Sequence, residues 1–545
     1  MSRRLSLWLL CTLDMLFLAS HLACNPTETE SQSAVLYTTL YIHQCSTETS
    51  QDRFQLTELG EDWRNQPEGD RGNYWGWGLA VEDFNRDGFW DVFLPHPLHP
   101  DQLFFGREDG LEEVSFLLHG ETHLAHGASA VDIDDDGDVD IVVGAEGGGF
   151  IYRNDGEPDG FQLLTEDEFA GGEALENLVF RFAIADGDQD GRLDLFGPSF
   201  YAQYTEDEDA TPLNNTLLWR KEEWLWERQP QGWASALEQT PANAGGWLDV
   251  DDDGDLDIFV VNDKPQVGYL SGLLLNDGER SFTHLQGRGL DFSLQGMGLA
   301  WGDLNLDGQL DIGVTGWGNF GLAMGEGERY WYEDSHNWGL LSHQEHVVGW
   351  GIEFVDLDND GDEDVLVANG ATYEPNGVES ASPAGEVLPN APEQFFGVYL
   401  NQGERLVFQS VGSWRVPIAG SYRGFALIDW NQDGFLDVFA RDLGRQAKYF
   451  QSSCGENRAL MIRLLQDSPN RSAIGARIWI TDAQGKEQFR DIQVGSTNIG
   501  SSAPPIAHFG VGLQSAVDVR IRWPDQTEQL LYDVETGQTI LIQKP

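Results

Sequence analysis

Seven times between Asp83 and Asp437 the chain repeats one nine-residue pattern, D-x-[DN]-x-D-G-x-x-D. The copies begin at Asp83, Asp132, Asp186, Asp249, Asp303, Asp356 and Asp429, and successive starts lie 49 to 73 residues apart. A period of that length is the size of one supersecondary unit, and it suits a four-stranded propeller blade once loop insertions are allowed. The 63 Gly, 19 Trp and 29 Phe, with little helical periodicity, favour short strands between tight turns. The expectation is an all-β, seven-bladed β-propeller with one acidic loop per blade.

The pattern suits a hard cation such as calcium, which takes six to eight oxygen ligands from a loop that curls around it. Positions 1, 3 and 5 supply carboxylate or amide oxygens, position 7 a backbone carbonyl, and position 9 a last carboxylate. In the first three copies these are Asp83, Asn85, Asp87, Phe89 and Asp91, then Asp132, Asp134, Asp136, Asp138 and Asp140, then Asp186, Asp188, Asp190, Arg192 and Asp194. The next two are Asp249, Asp251, Asp253, Asp255 and Asp257, then Asp303, Asn305, Asp307, Gln309 and Asp311. The last two are Asp356, Asp358, Asp360, Asp362 and Asp364, then Asp429, Asn431, Asp433, Phe435 and Asp437. Position 7 varies freely, as suits a ligand acting through its main chain, and position 6 is always Gly, as suits a turn with a positive φ. The fourth acid falls at position 9, where an EF-hand has Glu at position 12, and an aliphatic run follows at once, so no EF-hand is implied.

The plain alternative is seven acidic β-turns, since Asp, Asn and Gly are common turn residues. Seven copies in register, each with acids at positions 1, 5 and 9, argue against it. So does charge: carboxylates crowded into nine residues repel unless a cation joins them. Up to seven calcium ions would still leave the chain, at a formal charge of -59, strongly acidic. Such a chain repels nucleic acid and anionic membranes.

These motifs resemble the FG-GAP and VCBS repeats of integrin-like propellers across roughly residues 54 to 453. The resemblance implies calcium loops between the first two strands of each blade. RNDG at Arg153, LNDGERSF at Leu275 and LNQGERLVF at Leu400 read as later hairpin turns, and the stretches Tyr201 to Asp209 and Ala371 to Pro392 as surface insertions. The last repeat lacks a fourth strand, and FQLTELG at Phe54 would complete the seventh blade. On that pairing Cys45 and Cys454 meet where other blades have a hairpin turn, and a disulfide would staple the ring. Two unpaired thiols are the alternative.

Residues 457–543 leave the acidic repeat for alternating strands. NRSAIGARIWI at Asn470, HFGVG at His508 and IRWPD at Ile521 resemble the ASPIC/UnbV domain of the cartilage acidic protein family, whose usual order is propeller then ASPIC/UnbV. Asn470 and Arg471 read as a ligand site or, more plainly, as a turn. Residues 1–23 read as an export signal with Arg3 and Arg4 before an apolar stretch. Cys24 stands at the end of a lipobox-like Leu22-Ala23-Cys24, so lipidation of Cys24 and simple signal cleavage both stand open. Residues 24–50 read as a polar tether and N-terminal segment, and residues 51–453 as the propeller.

No catalytic constellation has the spacing its chemistry needs: HQEH at His343 is not HExxH, and neither a G-x-S-x-G elbow nor a phosphate-binding glycine loop occurs. The expectation is an exported, non-enzymatic scaffold at the cell surface or outside the cell. It would bind a protein or a matrix or glycan component, and reach the membrane only through a lipid anchor. The alternative is a carbohydrate-binding protein or polysaccharide-degrading enzyme, motivated by tryptophan clusters such as YWGWG at Tyr74 and WLW at Trp224, although tryptophans of this kind also serve blade packing.

Overall fold

Every second strand of the repeat opens on the position-9 acid, and every first strand ends on the residue before position 1, as in Ala125–Val131 and Asp140–Ala145 or Gly349–Val355 and Asp364–Asn369. The aliphatic residue at position 10 then points into the core and is fully buried in all seven copies. The structure is a computed structural model that describes residues 37–45, 53–60 and 78–545, apart from 98, 121–123, 157–159, 171–177, 201–211, 213, 223, 235, 279, 328, 344–346, 371–393, 411–413 and 444. The export signal, Cys24 and the two insertions lie outside the described residues.

The repeats form seven antiparallel sheets of four strands in simple up-and-down order, the second gaining a short fifth strand, Leu118–His119. Inner strands of successive blades lie side by side, and Tyr422–Ile428 of blade 7 lies against Ala80–Glu82 of blade 1, so the sheets close into a ring. Blade 7 takes its outer strand from the start of the propeller: Phe54–Thr57 pairs antiparallel with Lys448–Ser452, Phe54 opposite Ser452. Sequence had assigned this closure to FQLTELG. Cys45 and Cys454 flank it as thiols, with no disulfide joining them. Cys45 Sγ lies 3.8 Å from the carbonyl of Gly455, next to Cys454, and burial and then Cys454 push the Cys45 thiol up to about 12.

The remaining strands build two further sheets. One orders Glu487–Asp491, Arg477–Thr481, Ala516–Arg522 and Glu528–Glu535. The other orders Tyr37–Ile42, Gln538–Gln543, Ala459–Leu465 and Ile506–Gly510, so a strand from the stretch read as a tether adds to the C-terminal sheet. These sheets share a core with the ring: Ile478, Ile521 and Trp523 belong to one cluster with Ile184, Trp219 and Ile258 of blades 3 and 4.

From this C-terminal region a segment, residues 494–502, runs along the axis of the ring and bonds to every blade. Ser502 exchanges hydrogen bonds with Leu79 and Val81 of blade 1, and the Gly500 carbonyl accepts from Ala128 N of blade 2. The Val494 carbonyl accepts from Ile184 N of blade 3, and Asn498 N donates to Leu299 of blade 5. Ser496 Oγ accepts from Trp247 N of blade 4, Thr497 Oγ1 donates to Glu353 of blade 6, and Asn498 Nδ2 donates to the Phe425 carbonyl of blade 7. Ile499 packs among Phe180, Phe200, Met297 and Trp350. Glycines on the inner strands make room: a Cβ on Gly78 would lie 1.6 Å from the Gly500 carbonyl oxygen, and one on Gly246 2.2 Å from that of Ser496.

Candidate metal centres

All seven loops are built alike. Position 4 takes a left-handed backbone in every copy, from Arg86 and Asp135 through Gln432, and the position-6 glycine follows at φ between 81° and 100°. This succession curls the chain so that main-chain N–H groups point at the acids. The position-6 N–H donates to Oδ2 of the position-1 Asp at 2.7 to 3.2 Å in all seven loops. The position-7 N–H donates to Oδ1 of the position-5 Asp at 2.8 to 3.0 Å.

Position 9 has a role its spacing did not reveal. One oxygen accepts from the position-2 N–H at 2.8 to 3.2 Å. The other accepts from a main-chain N–H of the third strand at 2.7 to 2.9 Å. The buried carboxylate therefore clips the loop to the blade. Burial holds these groups above the usual carboxylate range, Asp91 at about 8 and Asp437 at about 7.

The loops fall into two kinds. Where position 3 is Asp, carboxylate oxygens converge within 4.8 Å: Asp132, Asp134 and Asp136; Asp186, Asp188 and Asp194; Asp249, Asp251 and Asp253; Asp356, Asp358 and Asp360. Where position 3 is Asn, in loops 1, 5 and 7, its Nδ2 donates to the position-5 Asp at 2.8 to 3.1 Å and satisfies part of the negative charge internally. In loops 2, 3 and 4 the buried Oδ1 of Asp132, Asp186 and Asp249 has no donor. A buried carboxylate oxygen without a partner is costly, and a cation supplies the missing interaction. The donor set, all oxygen and mostly carboxylate, fits a hard divalent ion. Burial and neighbouring acids raise Asp132 and Asp186 to about 7.

Side chains chain the loops together around the ring. Asn154 Nδ2 donates to the carbonyls of Phe84 in loop 1 and Val139 in loop 2, at 2.9 and 3.1 Å. Asn276 does the same for Gly187 and Leu256, and Asn401 for Leu304 and Glu363. Sequence had read these asparagines only as hairpin turns. Arg220 reaches from blade 3 to the Ile133 carbonyl of loop 2, Asn359 from loop 6 to the Gly434 carbonyl of loop 7, and Trp90 Nε1 from loop 1 to the Asp429 carbonyl.

The C-terminal region meets the same loops with positive charge. Arg522 Nη2 lies 2.6 Å from Asp249 Oδ2, Arg477 bonds to Asp252 and to the Asp249 carbonyl, and Lys486 lies 2.7 Å from Asp362. Arg471 reaches Asp132 at 3.4 Å, while Asn470 bonds both ways to the main chain of Ile474 and so forms the turn. Of the WLW cluster, Trp226 is buried in blade packing against Phe169, and Trp224 is half-buried beneath Arg153. YWGWG lies outside the described residues but for Gly78.

The ring, its closure and its seven loops define an all-β propeller of acidic-loop repeats. Residues 132–197 and 249–314 match the family model of the FG-GAP-like repeat, and residues 466–545 that of ASPIC and UnbV. The chain thus carries FG-GAP-like repeats and a C-terminal ASPIC/UnbV domain. Cartilage acidic protein 1 of Xenopus tropicalis is 24% identical over 279 residues, which cover 49% of this chain and 39% of that protein. The match therefore spans well under half of the relative's length. Among solved structures, an Agrocybe aegerita lectin described as recognising non-reducing terminal N-acetylglucosamine is 16% identical with a TM-score of 0.38, covering 62% of this chain and 80% of its own. The rhamnogalacturonan lyase YesW is 12% identical with a TM-score of 0.38, covering 74% and 76%.

Proposed function

We propose that this chain is a calcium-stabilised binding scaffold that works outside the cell and carries no catalytic chemistry of its own. The observation that carries the reading is the sevenfold repetition of one oxygen-lined loop, three copies of which hold a buried carboxylate oxygen with no donor. Calcium supplies the compensating charge and holds each first strand to its second. The C-terminal domain covers the loops of blades 2, 4 and 6 with Arg471, Arg522, Arg477 and Lys486 and fills the axis of the ring. Ligand binding is thereby left to the outward surfaces of the scaffold, and the partner is a protein or matrix component. The export reading rests on residues 1–23, and no helix among the described residues is long and apolar enough to cross a membrane.

The test is the metal content of the mature protein, purified without chelator, together with capture from cell-surface extract with and without calcium. Several calcium ions per chain and a calcium-dependent partner support the reading. Protein free of calcium, or calcium-loaded protein that turns over a polysaccharide, overturns it.

A further inference from the structure

We infer that neighbouring loops bind their ions with coupling, and that Asn154, Asn276 and Asn401 are positioning residues that couple loop 1 to 2, 3 to 4 and 5 to 6. The inference rests on the reading of the loops as calcium sites and adds how those sites act on one another.

The three asparagines occupy one structural position, in the third strands of blades 2, 4 and 6, and each makes the same four bonds. In blade 4 the main-chain N–H of Asn276 donates to Asp257 Oδ1 at 2.8 Å, and Oδ1 of Asn276 accepts from Gly278 N at 3.0 Å. Its Nδ2 then divides two protons between Gly187 O at 2.9 Å and Leu256 O at 3.0 Å. Gly187 is position 2 of loop 3 and Leu256 is position 8 of loop 4. The N–H of Gly187 is already held by Asp194, the position-9 acid of its own blade, at 2.9 Å. The peptides on either side of this position-2 residue are thus fixed, one from within blade 3 and the other from blade 4. A shift of loop 3 on gaining or losing an ion pulls on Asn276, and through it on the Leu256 peptide, next to the loop-4 acids Asp255 and Asp257.

Blade 3 has Arg220 at the position of these asparagines, its guanidinium reaching the position-2 carbonyl of loop 2, whereas blades 1 and 5 show that the side chain is an addition to the repeat. At the equivalent position blades 1 and 5 have Gly106 and Gly325, which keep the main-chain bond to the position-9 acid, at 2.7 and 2.9 Å, and have no side chain to reach the preceding loop. Glycine is therefore a residue this blade architecture already accepts there. Coupling between sites requires an element whose arrangement both sites bias, and the shared amide is such an element.

Asn276→Gly supplies the test, with circular dichroism and a melt in EDTA to establish that the ring is intact. Calcium bound per chain is measured by equilibrium dialysis, at free calcium near the midpoint of the wild-type curve, for Asp249→Asn with and without Asn276→Gly. With Asn276 present, losing loop 4 weakens loop 3 by roughly fivefold or more, the usual lower end of coupling between sites, so more than one site's share of calcium disappears. In the Asn276→Gly background Asp249→Asn removes one site's share alone. If Asp249→Asn costs one share in both backgrounds, or more than one in both, the asparagine does not couple the loops. If wild type binds no calcium, the reading of the loops fails first and the inference falls with it.

Discussion

Arg522 places Nη2 2.6 Å from Oδ2 of Asp249, while Oδ1 of the same buried carboxylate has no donor. One oxygen of the position-1 acid thus anchors the C-terminal domain and the other is left to the ion we propose. Arg522→Ala leaves the Asp249 charge buried with one partner fewer, and removing one member of a buried pair costs about 3 kcal/mol. The expected result is a lower urea midpoint in saturating calcium, with the dialysis count of bound ions preserved. An unchanged midpoint would show that the pair contributes nothing to docking.

The axial segment predicts that ring and C-terminal domain unfold together. Ile499 is 2% exposed at the centre of the ring, and Ile499→Ala should cost about 2 to 5 kcal/mol, as for other large-to-small core substitutions. A single urea transition that moves as a whole is expected by both fluorescence and far-UV dichroism. Two separate transitions, only one of them displaced, would contradict a shared core.

The two kinds of loop predict two classes of calcium site. Four loops carry Asp at position 3 and bring three carboxylates together; three carry Asn, whose amide offsets part of the charge. Ligand charge tunes calcium affinity, so calorimetric titration should show a tighter set of four and a weaker set of three. Asn305→Asp should move one site from the weaker set to the tighter. One uniform set would contradict the distinction.

Burial raises the position-1 acids in the metal-free fold, Asp83 and Asp249 to about 6 and Asp132, Asp186 and Asp303 to about 7. All lie above the value near 3.9 of an unfolded chain. The metal-free fold therefore holds the more protons, and the stability this contributes is complete below about pH 4 and lost as the pH rises through 6 to 7. In EDTA the melting temperature should fall between pH 5 and pH 8. Calcium replaces the protons, so the gap between calcium and EDTA melts should widen over the same range. A gap that narrows with pH would contradict the assignment.

Cys45 and Cys454 sit together where the chain crosses between the propeller and the C-terminal sheets. Mild oxidation should join them within one chain, as read by non-reducing peptide mapping. Closing so long a loop is worth about 4 to 5 kcal/mol in the chain-entropy account. Both thiols remaining free after oxidation would contradict it.

The repeat was legible because each blade needs the same turn, so Asp, Gly and the following aliphatic residue recur at fixed offsets. Phe54 was assignable to blade 7 because that blade visibly lacked a strand. The roles of Asn276 and Ile499 were not legible in the same way. Asn276 stands in an Asn-Asp-Gly turn whose local geometry already accounts for it, and its bond to Gly187 spans 89 residues. Ile499 lies in a run of Ser, Thr, Asn and Gly that reads as a loop, and only the closed ring supplies the walls that bury it. Position 9 was read as a ligand by its charge, whereas its two main-chain donors come from the folding of the hairpin around it.

The central claim is that calcium holds this fold together, and a thermal melt of the mature protein in excess EDTA and again in millimolar calcium tests it most directly. Each site filled tenfold above its dissociation constant contributes about 1.4 kcal/mol, so several sites together should raise the melting temperature by many degrees. Identical melts, in protein shown by elemental analysis to be calcium-free in EDTA, would contradict the account.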